Sequence, residues 1–177
     1  MKYEYSGTIF EAIYGKIEEL EFDAIALPTT PSLVMDSGIS LKIKEIAGQT
    51  AEAEAIKKAP GSPGDTVVTE AENLPYKKIF HCVMLDDKKN ASPDSLRISI
   101  KSVFEKAEKL GLRKLAFPAV GAFFPGLDPK TATETIVAQT KQSILEKQGI
   151  FSEICFIVCD SAPYMYFKKA LKRHFKK

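Results

Sequence analysis

Residues 22–48 read FDAIALPTTPSLVMDSGISLKIKEIAG, and the character of this stretch changes twice. Phe22–Leu27 is apolar but for one aspartate, which predicts a strand covered on both faces of a sheet. A loop rich in Pro, Ser and Thr follows over Pro28–Gly38. Ile39–Ala47 then carries apolar residues at helical spacing and is followed by Gly48, a common helix stop. The stretch predicts one strand–loop–helix unit of an α/β fold.

The rest of the chain continues this alternation of short β-branched runs and helical spacing. Strands separated by helices of this length indicate crossover connections and a largely parallel sheet. No internal repeat or low-complexity linker interrupts the pattern, so we expect a single domain over residues 1–177. The other predicted strands are Thr8–Tyr14, Thr66–Glu70, Ile79–Leu85, Lys114–Phe117 and Ile154–Cys159, and the other predicted helices are Pro93–Leu110, Thr131–Gln148 and Ala162–Phe175.

The overall composition is that of an ordinary globular protein. The 177 residues are 45% hydrophobic and 27% charged, which argues against disorder. No apolar run approaches the roughly 20 residues that a membrane span needs. The amino terminus is too polar for the apolar core of a signal peptide. We therefore expect a cytoplasmic protein with no membrane partner.

Charge is distributed unevenly along the chain. The net charge is +2, but residues 168–177 hold six Lys or Arg and no acid, which leaves the remaining residues at −4. Such a tail could attract nucleic acid or another polyanion. The alternative, which we favour, is that it forms the solvated face of the last helix and that nucleic acid is not a partner.

The reactive residue types form no recognisable catalytic or metal-binding pattern. Cys155 and Cys159 are four residues apart, which in a strand favours two buried thiols over a metal site. His81 lies within a predicted strand and is expected to pack in the core, whereas the basic tail around His174 is expected to be exposed. Asp23 is expected to act structurally at the start of its strand, and Asp86-Asp87 is expected to form a turn. We expect no metal and no resident cofactor.

Two loops are candidates for binding an anion. The loops over Pro28–Gly38 and Pro118–Pro129 each lead from a strand into a helix, and ligands of parallel sheets bind beyond the carboxyl ends of the strands. A helix N-terminus offers backbone N–H groups and a favourable dipole to a phosphate. Gly38, Gly121 and Gly126 would let the backbone approach it closely. Ordinary Gly- and Pro-containing turns are the alternative explanation.

Three segments resemble the macro domain, a family that binds ADP-ribose. DAIALPTTPSLVMDSGISLKIKEIAG is similar to the family pattern DAIVNxANxxLxMGGGVAxxIKxAGG without gaps. PGDTVVTEAENLPYKKIFH resembles PGxAVVTxGxNLPxKYVIH, and AFPAVGAFFPGLDP resembles AFPALGTGxxGxP. The segments occur in the family's order and, with the helices between them, span most of the chain.

The resemblance implies a three-layer α/β/α fold with a central mixed, largely parallel sheet. It also implies a cleft in which two glycine loops hold the diphosphate of ADP-ribose or of a related nucleotide, the expected partner. Family members that process ADP-ribose also exist. The ligand-binding positions that the resemblance implies are Thr30, Asp36, Ser37, Gly38, Ile39, Gly121, Ala122, Phe123, Phe124 and Gly126, with Lys16 and Ile17 on the adenine side.

Several of these positions depart from the family pattern. Lys16 replaces the aspartate that accepts a hydrogen bond from adenine, and a lysine ammonium group cannot accept one. Leu27 and Thr30 replace the two asparagines of NxAN. Asp36 places a negative charge beside the expected diphosphate, where like charges about 4 Å apart repel by about 4 kcal/mol at an effective dielectric near 20. Phe123 stands at a glycine position. These changes predict an altered site.

Three functions follow as hypotheses. The first is a module that binds ADP-ribose or a related nucleotide. The second is a ligand-free interaction or oligomerisation domain that uses exposed aromatic residues, with core packing as the simpler explanation for them. The third is a hydrolase that removes ADP-ribose or its phosphate from a carrier and uses Thr30, Asp36 or Ser37. The aromatic candidates of the second hypothesis are Phe123, Phe124, Tyr164, Tyr166 and Phe167.

Overall fold

The structure is a computed structural model that describes residues 2–118, 126–158 and 161–176. Its strands form one seven-stranded sheet in the order β1-β2-β7-β6-β3-β5-β4. The four inner pairings, from β2 to β5, are parallel, whereas β1 and β4 are antiparallel edge strands. The prediction of a mixed, largely parallel sheet is confirmed. The strands are β1 (Lys2–Tyr5), β2 (Thr8–Tyr14), β3 (Phe22–Thr29), β4 (Thr66–Glu70), β5 (Tyr76–Val83), β6 (Lys114–Pro118) and β7 (Glu153–Val158).

Helices cover both faces of the sheet. One face carries two short helices, and the other carries three longer helices, so the predicted three-layer α/β/α arrangement is confirmed. A single turn of 3-10 helix, Ile17–Glu19, crosses the first face between β2 and β3. None of the described helices is long and apolar enough to cross a membrane. The helices are α1 (Gly38–Ala47) and α2 (Thr50–Ile56) on the first face, and α3 (Pro93–Lys109), α4 (Pro129–Glu146) and α5 (Ser161–Phe175) on the second.

The alternation of side chains along each inner strand divides the core in two. In β7, Ile154 and Phe156 face the layer of α3, α4 and α5, whereas Cys155 and Ile157 face α1 and α2. All four are buried. This is the doubly covered strand that a continuous apolar run predicts. The interpretation of Cys155 as a buried thiol is confirmed, while Cys159 lies outside the described residues.

Asp23 holds the amino-terminal ends of neighbouring strands together. Its Oδ2 accepts hydrogen bonds from the backbone N–H groups of Arg113 and Lys114 at 2.8 and 2.9 Å, and its Oδ1 pairs with Lys77 Nζ at 2.6 Å. Burial alone would raise the pKa of Asp23, but these hydrogen bonds lower it below its ordinary value. The structural role predicted for Asp23 is confirmed.

The basic tail forms the exposed face of α5, as predicted. The expectation that His174 is exposed is wrong. Only 23% of its side chain is accessible, and its Nε2 lies 3.0 Å from Glu134 Oε2 of α4. Lys141 Nζ of α4 also donates to the His174 backbone oxygen at 2.7 Å. His174 is half-buried because it lies on the side of α5 that packs on α4. Lys169, Lys172 and other cations of the tail are solvated.

His81 is a core residue, as predicted, and its ring is hydrogen-bonded. It is 1% exposed, and its Nε2 lies 2.9 Å from Thr69 Oγ1 on the neighbouring strand β4. Burial is the main cause that lowers the pKa of His81 to about 4, and the nearby Lys58 ammonium group lowers it further. The imidazole is therefore neutral in the folded protein at pH 7.

This neutral histidine predicts a loss of stability between pH 6.5 and pH 4. In that window the unfolded chain binds a proton at His81 and the folded chain does not, so the free energy of unfolding falls as the pH falls. The contribution is about 2–3 kcal/mol across the window. Urea unfolding at several pH values should show a shallower pH dependence for His81→Gln, which keeps a partner for Thr69. Equal slopes in the two proteins would contradict this account.

Candidate functional site

The carboxyl ends of the parallel strands meet at one edge of the sheet, and the predicted loops lie at this edge. Residues 30–37 follow β3 and lead into α1, residues 84–92 connect β5 to α3, and residues 126–128 precede α4. Lys16 follows the end of β2 at the same edge. Loops at this position bind ligands in open parallel sheets, because helix N-termini converge there.

The loop before α1 is fixed from both sides. The side chains of Leu33 and Met35 are buried in the core. The backbone N–H of Met35 donates to Glu52 Oε1 of α2 at 2.7 Å, and the other carboxylate oxygen of Glu52 pairs with Lys44 Nζ at 2.6 Å. These contacts hold the backbone that leads into α1 in one conformation, which is the preorganisation that a binding loop needs.

The N-terminus of α1 has no capping side chain. Ser37 is the N-cap and has an extended backbone, but its hydroxyl makes no capping hydrogen bond. It donates instead to Asp36 Oδ1 at 3.0 Å. The first helical bond runs from Leu41 N to Ser37 O, so the N–H groups of residues 38–40 have no acceptor within the helix. Gly38, with φ +56°, begins the helix, and a Cβ at this position would meet no atom within 4 Å. These donors suit an anion.

The longer helices α3 and α4 are capped by their own side chains. Ser92 forms a capping box with Ser95 at the start of α3. Asp128 Oδ1 accepts a hydrogen bond from Thr131 N at 3.0 Å at the start of α4. The N-terminus of α4, to which the second loop leads, is therefore already capped by a carboxylate, whereas the N-terminus of α1 has no such cap.

The charge of Asp36 is compensated by a residue that the sequence did not point to. Lys89 Nζ lies 3.0 Å from Asp36 Oδ1 and 3.2 Å from Ser37 Oγ. The hydrogen bond from Lys89 holds the pKa of Asp36 below its ordinary value, so the carboxylate is ionised at neutral pH. Asp36 does place a negative charge at the site, as predicted, but as half of an ion pair. The signal in the sequence for this ion pair was that Lys89 lies in the loop after β5, at the same edge of the sheet as Asp36.

The remaining predicted site residues divide into those at this edge and those outside the described residues. Thr30 Oγ1 lies 2.8 Å from Ser32 Oγ within the first loop, and Ile39 is half-buried in the first turn of α1. Lys16 is exposed and pairs with Glu19 at 3.3 Å, whereas the side chain of Ile17 is in the core. Gly126 lies within the second loop and has φ +82°. Gly121, Ala122, Phe123 and Phe124 lie outside the described residues.

A match to a known family accounts for this arrangement. The Macro domain family matches residues 17–136, which include β3, the loop before α1 and the first two turns of α4. The match spans more than half of the chain. The chain therefore belongs to the Macro domain family.

Individual relatives are similar over most of the chain. An O-acetyl-ADP-ribose deacetylase of Enterobacter sp. (strain 638) is 28% identical over 167 residues, which cover 91% of this chain and 92% of that protein. The protein mono-ADP-ribosyltransferase PARP14 of Homo sapiens is 30% identical over 129 residues, which cover 73% of this chain but only 7% of that much longer protein.

Solved structures confirm the fold. The Trypanosoma brucei macrodomain in complex with ADP-ribose superposes with a TM-score of 0.83 at 23% identity, and the match covers 92% of this chain and 68% of that one. The Oceanobacillus iheyensis macrodomain with MES bound superposes with a TM-score of 0.87 at 17% identity and covers 98% of this chain and 95% of that one. At these identities the likeness concerns the backbone architecture.

Proposed function

We propose that this protein binds ADP-ribose, with the diphosphate at the uncapped N-terminus of α1. The observation that carries the proposal is the set of N–H donors of residues 38–40, which no side chain caps. Membership of the Macro domain family supports it, as do the ADP-ribose complex of the Trypanosoma brucei macrodomain and the deacetylase of ADP-ribose among the relatives.

The geometry suits a diphosphate in three respects. The helix dipole and the free N–H groups attract negative charge at Gly38. The missing side chain of Gly38 leaves space for a phosphate to reach the backbone. The loop is held in place by Met35 and Glu52, so little conformational entropy is lost when the ligand binds.

The nucleoside end of the cleft differs from the family pattern. Lys16, at the position of the adenine acceptor, is 65% exposed and pairs with Glu19, so no carboxylate at position 16 selects the adenine amine. We expect phosphate recognition to contribute more to affinity than base recognition does.

A hydrolytic activity on O-acetyl-ADP-ribose is the second candidate. The support for it is that the Enterobacter relative, which matches nine-tenths of this chain, is named an O-acetyl-ADP-ribose deacetylase. Asp36 is the ionised carboxylate at the site and Thr30 supplies a hydroxyl, so these two residues are the candidates for positioning a water molecule. Release of acetate from O-acetyl-ADP-ribose tests the activity, and turnover that survives in Asp36→Ala would remove Asp36 from the mechanism.

The interaction-domain hypothesis receives less support from the aromatic residues that suggested it. Phe167 is buried in the core and stacks on Phe156 with ring centroids 4.9 Å apart, as the simpler explanation predicted. Tyr164 is half-buried beside Tyr14, and Tyr166 is partly exposed. Phe123 and Phe124 lie outside the described residues.

Isothermal titration calorimetry with ADP-ribose, ADP and adenosine tests the proposed binding. We expect saturable binding of ADP-ribose and of ADP, and at least about thirtyfold weaker binding of adenosine, because adenosine lacks the phosphates that the α1 amides recognise. Absence of heat with millimolar ADP-ribose would reject the proposal. Equal binding of adenosine and ADP would reject phosphate recognition at α1.

A further inference from the structure

The connection between β5 and α3 contains a tight turn built around Asp86. The Asp86 Oδ1 atom accepts hydrogen bonds from the backbone N–H groups of Lys88 and Asn90 at 2.9 and 2.8 Å. The backbone N–H of Lys89 donates to Asp86 O at 2.9 Å, and Asp86 N donates to Asn90 O at the same distance. The predicted turn at Asp86-Asp87 is confirmed, and its geometry is fixed by hydrogen bonds within the turn itself.

This turn contacts both sides of the candidate site. Lys89, with φ +65°, extends its ammonium group to Asp36 and Ser37 at the start of α1. Asn90 lies against Gly126 on the other side, where a Cβ on the glycine would stand 3.3 Å from Asn90 Oδ1. The Asp86 turn therefore places the positive charge of Lys89 at the start of α1, and Asn90 of the same turn lies against Gly126.

The charge matters because Asp36 is close to the α1 amides. Asp36 precedes Gly38 by two residues, which span at most about 7 Å. A ligand phosphate at Gly38 is therefore near enough to the ionised carboxylate to be repelled by it. Lys89 pairs with that carboxylate at 3.0 Å, and both side chains remain about half exposed, at 44% for Lys89 and 54% for Asp36. The pair keeps polar atoms accessible at the site without a net charge.

We propose that Lys89 is a specificity-determining residue of this site, which cancels the charge of Asp36 and thereby permits a diphosphate ligand to bind. The proposal rests on the proposed function. In the Lys89–Asp36 pair, the carboxylate still accepts hydrogen bonds from ligand hydroxyl groups, and the ammonium group removes its repulsion of the phosphates. The ligand class that fits is a nucleoside diphosphate with a hydroxyl-bearing group beyond the second phosphate.

A double-mutant cycle at positions 36 and 89 tests this role. We expect Lys89→Met to weaken ADP-ribose binding about three- to tenfold at low salt, because Asp36 is then unpaired. Asp36→Asn/Lys89→Met should bind within about twofold of Asp36→Asn alone, since the neutral amide needs no counter-charge. The effect of Lys89→Met should shrink in 0.5 M salt, where screening acts over about 4 Å.

Lys88→Met is the matched control. Lys88 lies in the same turn and makes no ion pair within 4 Å in the part of the chain that the structure describes. Its substitution lowers the net charge by the same amount and should leave affinity within about twofold of wild type. Thermal unfolding of each variant, with a midpoint within about 2 °C of wild type, checks that the fold is intact.

The outcomes separate this inference from the proposed function. If Lys89→Met and Lys88→Met both bind ADP-ribose with wild-type affinity, the proposed role of Lys89 is overturned and the proposed function still stands. A double variant that binds well over twofold more weakly than Asp36→Asn would show that Lys89 acts other than through Asp36, which would overturn charge cancellation. Absence of ADP-ribose binding by the wild-type protein would reject both.

Discussion

Ser37→Asp is expected to weaken ADP-ribose binding about a hundredfold without reducing stability. Ser37 already has the extended backbone of an N-cap, so an aspartate there can accept hydrogen bonds from the α1 amides, as Asp128 does at α4. The carboxylate would then occupy the place of the ligand phosphate and repel it, and like charges about 4 Å apart repel by about 4 kcal/mol at an effective dielectric near 20. Calorimetry gives the affinity, and urea unfolding gives the stability.

Two control variants isolate the cause. Ser37→Asn adds a capping oxygen of similar size without a charge, so the difference between the two variants measures electrostatic competition alone. Ser92→Asp makes the same chemical change at the N-cap of α3, which is already capped, and should leave ADP-ribose affinity unchanged. A Ser37→Asp protein that binds ADP-ribose as tightly as wild type would contradict the location of the anion site.

Phe156→Ala is expected to reduce the free energy of unfolding by about 3–5 kcal/mol, the largest loss of stability that we predict. Phe156 is fully buried on an inner strand, stacked on Phe167 of α5 with centroids 4.9 Å apart and tilted against Phe117 of β6 at 5.9 Å. Truncation removes the contact between Phe156 of β7 and Phe167 of α5 and leaves a cavity that the surrounding strands cannot fill.

Tyr166→Ala provides the comparison for this core substitution. Tyr166 lies on α5 beside Phe167 but is 37% exposed, so its truncation should cost less than about 1 kcal/mol. Denaturant unfolding followed by far-UV circular dichroism measures both variants. A loss below about 1.5 kcal/mol for Phe156→Ala would contradict the packing of α5 on the sheet.

The sequence predicted the fold well where buried strands and long helices leave a periodic pattern. Thr8–Tyr14 and Thr66–Glu70 are strands with the predicted bounds. The edge strand Lys2–Tyr5 was missed because none of its four residues is buried, so it lacks the apolar face by which strands are recognised. The helix Thr50–Ile56 was missed because it is only seven residues long and buries two alanines.

The candidate site was predicted only in part, because local sequence patterns do not report contacts between distant segments. Gly38 and the loop before it follow from local sequence and lie where expected. The Asp36–Lys89 ion pair joins residues 53 positions apart, and no local pattern reports such a contact. The cap at α4 was also missed, since a helix start was expected at Thr131 and the helix begins two residues earlier, at a proline preceded by Asp128. Contacts between segments that are distant in sequence set the charge balance of the candidate site, and such contacts are known only once the chain is folded.

A crystal structure of the protein with ADP-ribose tests the central claim most directly. The claim predicts diphosphate oxygens about 2.7–3.1 Å from the backbone nitrogens at the start of α1, at Gly38 and Ile39, with Lys89 still beside Asp36. An ADP-ribose molecule bound elsewhere on the protein, or an α1 N-terminus without a phosphate in a crystal soaked at saturating concentration, would contradict it.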